Sequence, residues 1–67
     1  MTIRLNDKER VIGDASTLGF LLGELGLAER RGVAVAVNDM VVSRSSWATR
    51  QLVEKDRVLV IQATQGG

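Results

Sequence analysis

Arg57-Val58-Leu59-Val60-Ile61, followed by Gln62-Ala63-Thr64-Gln65-Gly66-Gly67, is the stretch on which the fold turns. The first five residues are the strongest strand signal in the chain, because β-branched and large apolar side chains suit a pleated surface. Val58 and Val60 point to one side of that strand, Leu59 and Ile61 to the other. Apolar residues on both faces need a cover on both faces, so the elements upstream decide the architecture. Glu54-Lys55-Asp56 makes a polar turn into the strand. Before it, Ser43 to Arg50 lacks strand alternation and reads as a helical turn with Trp47 as a partly buried anchor rather than a ligand platform. Val33-Ala34-Val35-Ala36-Val37 is a further strand with valines on one face and alanines on the other. Asn38-Asp39 is a turn signal that returns the chain as Met40-Val41-Val42.

Towards the amino end, Leu18, Leu21, Leu22 and Leu25 recur at i, i+3, i+4 and i+7, one stripe on one helix face. Ser16 or Thr17 can cap that helix, and Gly26 is a credible left-handed stop. Gly19 and Gly23 lie inside it, each costing on the order of 1 kcal/mol relative to alanine. Their spacing would let another backbone approach closely, but they read first as a weak, solvent-facing helix that depends on tertiary packing. Ile3 and Leu5 alternate with polar neighbours as a half-buried strand, Asn6-Asp7-Lys8 is a turn, and a second strand follows over about Glu9 to Gly13. One long helix therefore serves a sheet of five strands. It covers one face; the other is either covered by the loop carrying Trp47 or left open as a partner surface.

Composition narrows the function. The 67 residues include no cysteine, histidine, proline or tyrosine. That excludes a disulfide, a thiolate nucleophile, sulfur-ligated metal and the usual general base. Asp14, Glu24, Asp39 and Asp56 are read as separated turn or surface acids that assemble no acid–base pair and no metal cage. The formal charge is +1, without blocks of one sign, and nucleic-acid binding needs a concentrated basic footprint. No apolar stretch approaches the ~20 residues of a membrane span and no signal core is present, so a cytoplasmic location is expected. At this size the expectation is a single domain spanning 1–67.

The tail carries the remaining signal. A carboxylate on a short glycine arm can thread a narrow channel and leaves its carbonyl carbon unhindered. With an α-carboxyl pKa of about 3.3–3.7 it is an anion near neutral pH and a poor electrophile, so it must be activated. Attack on the α-phosphorus of ATP would give an acyl-adenylate. The chain has no phosphate-cradling loop for that chemistry, so another protein would have to supply it.

Ala36-Val37-Asn38, Val41-Val42-Ser43-Arg44-Ser45-Ser46-Trp47, Leu52-Val53-Glu54-Lys55-Asp56-Arg57-Val58 and the ending Gln65-Gly66-Gly67 resemble the sulfur carrier proteins of thiamine biosynthesis, the ThiS family; Ile3-Arg4-Leu5-Asn6 fits too. The resemblance implies an α+β, ubiquitin-like β-grasp fold: a mixed sheet around one helix, first and last strands parallel at its centre, and residues 63–67 as a flexible tail. It implies that an E1-like adenylyltransferase, using ATP and Mg, adenylates Gly67. A cysteine desulfurase relay would then supply sulfur for a thiocarboxylate, and thiazole synthase, a TIM-barrel enzyme, would receive it. The chain would bind no cofactor itself and would be a co-substrate, not an enzyme. Gln65 and Gly66 become tail-recognition residues, Leu59 and Ile61 a docking face. Arg44 becomes a candidate partner contact, with a solvated arginine or a local ion pair as its plainer role. Two positions depart from the family pattern: Ser43 stands where proline is usual, and Lys55 where glycine is common, so a positive φ there would strain lysine. Other readings are the sulfur carrier subunit of molybdopterin synthase, a protein-conjugating ubiquitin-like modifier, and a non-covalent β-grasp interaction module.

Overall fold

The computed structural model describes residues 1–63. Strand β1 (Thr2–Leu5) turns into β2 (Lys8–Val11) through Asn6 and Asp7 alone, at φ 50° and 68°. Two consecutive positive φ values let a two-residue hairpin follow the right-handed twist of its strands, and Asn and Asp tolerate that region better than most residues. Lys8 therefore opens the strand, where sequence assigns it to the turn, and β2 stops at Val11, short of Gly13. Asn38 and Asp39 repeat the same turn, at φ 51° and 69°, between β3 (Val33–Val37) and β4 (Met40–Val42).

Helix α1 (Leu18–Glu24) starts at Thr17, whose Oγ1 accepts the Phe20 amide at 3.1 Å; the Ser16 hydroxyl instead donates to the Gly13 carbonyl. Leu18, Leu21 and Leu22 are fully buried, Leu25 is half-buried, and Gly26 ends the helix at φ 74°. A helix of seven residues is not stable in isolation. Its first amides are satisfied from the chain around the short 3₁₀ turn η1 (Arg44–Ser46): Leu18 donates to the Arg50 carbonyl and Gly19 to the Trp47 carbonyl, both at 2.8 Å. At Gly19 a Cβ would lie 3.2 Å from the Ala48 Cα and the Trp47 carbonyl oxygen, whereas at Gly23 it would meet nothing within 4 Å. The weak-helix reading thus holds for Gly23, and Gly19 is instead a site of backbone approach.

Strand β5 (Arg57–Gln62) lies at the centre of a sheet ordered β2-β1-β5-β3-β4, parallel to β1 and antiparallel to β3. This is the expected β-grasp arrangement. The core forms between the sheet and α1 from Ile3, Val35, Val37, Val42 and Val58, closed by Trp47 and Leu52. Trp47 is an anchor, as its sequence context suggests; it is 4% exposed, and its Nε1 donates to the Val42 carbonyl at 3.0 Å.

The two turn asparagines also hold β5. Strand β1 ends at Leu5, opposite Val58. Beyond that point the Asn6 side chain replaces a neighbouring peptide: its Oδ1 accepts the Val60 amide at 2.8 Å and its Nδ2 donates to the Val60 carbonyl at 3.3 Å. On the other flank, Asn38 Oδ1 accepts the Arg57 amide and its Nδ2 donates to Asp56 Oδ1, both at 2.9 Å. Asp56, read from sequence as a turn or surface acid, is 4% exposed; its Oδ2 accepts the Val53 amide at 2.8 Å. It is a structural carboxylate at the start of β5.

Candidate functional site

The alternation along β5 resolves as expected. Val58 is buried and Val60 packs partly against the core, while Leu59 and Ile61 are 49% and 56% exposed on the opposite face. In register with them on that face stand Ala36 beside Leu59, Ala34 beside Ile61, and Val41 of β4 beside Ala36. Val41 is itself highly exposed. Trp47 is packed into the helix-side core, so its loop does not cover this patch, and the alternative of an open apolar face is the correct one. The patch ends in charge: Arg57 pairs with Asp39 at 3.0 Å, and Arg4, opposite Arg57 across the parallel ladder, donates to the Asp7 carbonyl.

After Gln62 the chain remains attached for one more residue. Ala63 donates its amide to the Gly32 carbonyl at 2.8 Å. Gly32 has φ 75°, and a side chain there would crowd the Ala63 Cβ at 3.2 Å. Residue 63 thus belongs to the folded body, a correction to the expectation of a flexible tail from 63 onwards. Thr64, Gln65, Gly66 and Gly67, which include the attachment and tail-recognition candidates, lie outside the described residues.

Arg44 is exposed, as a solvated arginine would be, but it forms no ion pair among the described residues and is anchored instead by backbone carbonyls. Its guanidinium donates to the Ala28 carbonyl at 2.6 Å and to the Arg30 carbonyl, and sits 4.5 Å from the centroid of the Trp47 ring. It clamps the segment after α1 against η1 while remaining at the surface. Among the described residues there is no group of three or more acidic, histidine or cysteine side chains placed to hold a metal, and no helix long and apolar enough to cross a membrane.

A family model described as the ThiS family matches residues 2–67, and the sulfur carrier protein ThiS of Escherichia coli (strain K12) is 31% identical over 67 residues, covering all of both chains. The chain belongs to the ThiS family. The fold agrees: a crystal structure of the thiamine biosynthesis protein ThiS from Geobacter metallireducens superposes with a TM-score of 0.83 at 23% identity, covering all of both chains. A solution structure of a thiamine biosynthesis protein from the same organism gives 0.81 at 23% identity, over all of this chain and 88% of that one.

Both departures of this ThiS-family chain from the family pattern have a visible backbone setting. Ser43 adopts φ −66° and ψ 151°, angles that proline itself takes, so the local path survives its replacement. Lys55 sits at φ 71°, the strained region that a glycine would occupy freely. What sequence reasoning missed are the asparagine clips on β5 and the meeting of the 28–32 segment with Arg44 and the tail root. The repeated Asn-Asp pair was a signal for the first; nothing local signals the second.

Proposed function

We propose that this chain carries sulfur on the Gly67 carboxyl group for thiazole formation in thiamine biosynthesis. As a ThiS-family member it is a sulfur carrier protein rather than a catalyst, and it works with partner enzymes of that pathway. The observation that supports Gly67 as the working group is the family match running through it. The central strand leads there, and Ala63 is tied to Gly32, so Thr64 to Gly67 can extend by at most ~14 Å from the folded body.

The chemistry follows from the carboxylate. An E1-like adenylyltransferase binds ATP and Mg, the Gly67 carboxylate attacks the α-phosphorus, and pyrophosphate leaves. A persulfide on the desulfurase relay displaces AMP to give an acyl disulfide, a second thiol cleaves its S–S bond to release the Gly67 thiocarboxylate and is left in a disulfide, and the thiocarboxylate delivers its sulfur to thiazole synthase. Gln65 and Gly66 thread the partner's channel, where the missing Cβ of glycine matters. Leu59 and Ile61, with Ala34, Ala36 and Val41 beside them, supply the apolar contact that places the tail. An apolar patch without cover is what such a contact requires. Arg44, held over Trp47 by the Ala28 and Arg30 carbonyls, is a further partner contact outside that apolar patch. The cycle belongs in the cytoplasm, where ATP is available.

Intact-mass analysis tests the proposal. Incubated with its adenylyltransferase, ATP and a sulfur donor, the chain is expected to exchange one carboxyl oxygen for sulfur. A chain lacking Gly67 should stay folded and unchanged in mass. Failure of the full chain to exchange, or exchange after Gly67 is removed, refutes Gly67 as the carrier.

A further inference from the structure

We infer that Arg30, Arg31 and Arg44 form a cationic collar at the root of the tail, and that the enzyme which adenylates Gly67 meets it with carboxylates at the mouth of its channel. The inference rests on the carrier function proposed above. Arg30 and Arg31 are neighbours in the sequence, and the fold brings Arg44 to them. Gly32 accepts the Ala63 amide at 2.8 Å, and Arg30 and Arg31 are the two exposed residues immediately before it. Arg44 arrives from the far side of β4 and bonds the Arg30 carbonyl.

None of the three guanidiniums is neutralised by an acid within the described residues; the ion pairs there are Met1 with Asp14 and Arg57 with Asp39. Arg44 is held by carbonyl oxygens and an aromatic face, partners that orient its charge without cancelling it. With Glu29 counted, the collar carries a net +2 in a chain whose formal charge is +1, so the remainder is slightly acidic.

Geometry selects the occupant. Whatever grips Gly67 must place its channel mouth within ~14 Å of Ala63, whose amide is held by Gly32, the residue that follows Arg30 and Arg31. At contact the opposing groups lie inside the ~8 Å Debye length of physiological salt, where charge still acts. An apolar mouth would strip water from these guanidiniums without offering them a counter-charge and a basic one would repel them; an acidic mouth attracts them, speeds encounter and orients the tail at its entrance. Arginine also suits the place chemically, since it offers forked donors to a carboxylate.

The test is ATP–pyrophosphate exchange by the E1-like adenylyltransferase of the same organism, measured against carrier concentration at low and physiological salt. The variants are full chains carrying Arg30→Glu with Arg31→Glu, and Arg30→Lys with Arg31→Lys. Both side chains are exposed, so both variants should fold, which circular dichroism checks. The acidic variant should raise the half-saturating carrier concentration by about tenfold at low salt, leave the maximal rate within about twofold, and lose the salt dependence of the wild type. The lysine variant should retain most of the wild-type behaviour. An unchanged half-saturating concentration, a loss confined to the maximal rate, or equal damage from lysine and glutamate overturns the collar alone. A wild-type chain that supports no exchange overturns the carrier function and the collar with it.

Discussion

Replacing Asn6 with glycine removes a side chain while leaving the backbone angle of its turn accessible, so its effect isolates the clip on β5. The Asn6 amide group makes two hydrogen bonds to Val60, at 2.8 Å and 3.3 Å. A hydrogen bond contributes about 0.5–1.5 kcal/mol net; the shorter one merits about 1 and the longer one about 0.5, for a loss near 1.5 kcal/mol. In a domain of this size each kcal/mol moves Tm by roughly 4–8 °C, so a fall of about 6–12 °C is expected by thermal denaturation. The loss should be local as well as global. Parallel pairing with β1 stops at Val58, so Val60 relies on Asn6 on that flank, and its amide should lose hydrogen-exchange protection ahead of Val58. Val60 lies between Leu59 and Ile61, and fraying there would loosen the docking face and the strand leading to the tail. A Tm within about 2 °C of wild type, together with unchanged protection at Val60, would refute the clip.

Asn38→Gly should cost more, roughly 2–3 kcal/mol in urea unfolding, because it also strips a partner from the buried Asp56 carboxylate. Gly19→Ala should destabilise by about 1–2 kcal/mol despite alanine's better helix propensity, since the new methyl meets backbone atoms at 3.2 Å. Gly23→Ala, facing open space, should stabilise by about 0.5–1 kcal/mol, and a common denaturation midpoint for the two would contradict the packing described. Ser43→Pro should raise stability by about 0.4–1 kcal/mol, visible as a higher Tm, because proline's φ is already in place at −66°.

Local pattern determined much of this protein. The leucine stripe located α1 and its buried face, the alternation in β5 separated Val58 from Leu59 and Ile61, and the Asn-Asp pairs located both hairpins. The ending around Gly66 and Gly67, read with the stretch from Val41 to Trp47, pointed to the family. These features depend on neighbours a few residues apart, whose geometry the helix and strand periods dictate. Other features depend on which distant segments meet, and periodicity carries no record of that. Only the tertiary structure decided that Gly19 is a backbone contact, that Asp56 is buried and that Asn6 completes the hydrogen bonding of Val60. It likewise decided that the Trp47 loop closes the helix side and leaves the other face of β5 open, and that Arg44 bonds the Arg30 carbonyl close to the Gly32 that holds Ala63. In each case the partners lie far apart in sequence, and their meeting is set by sheet order and loop path, which only the packed chain specifies.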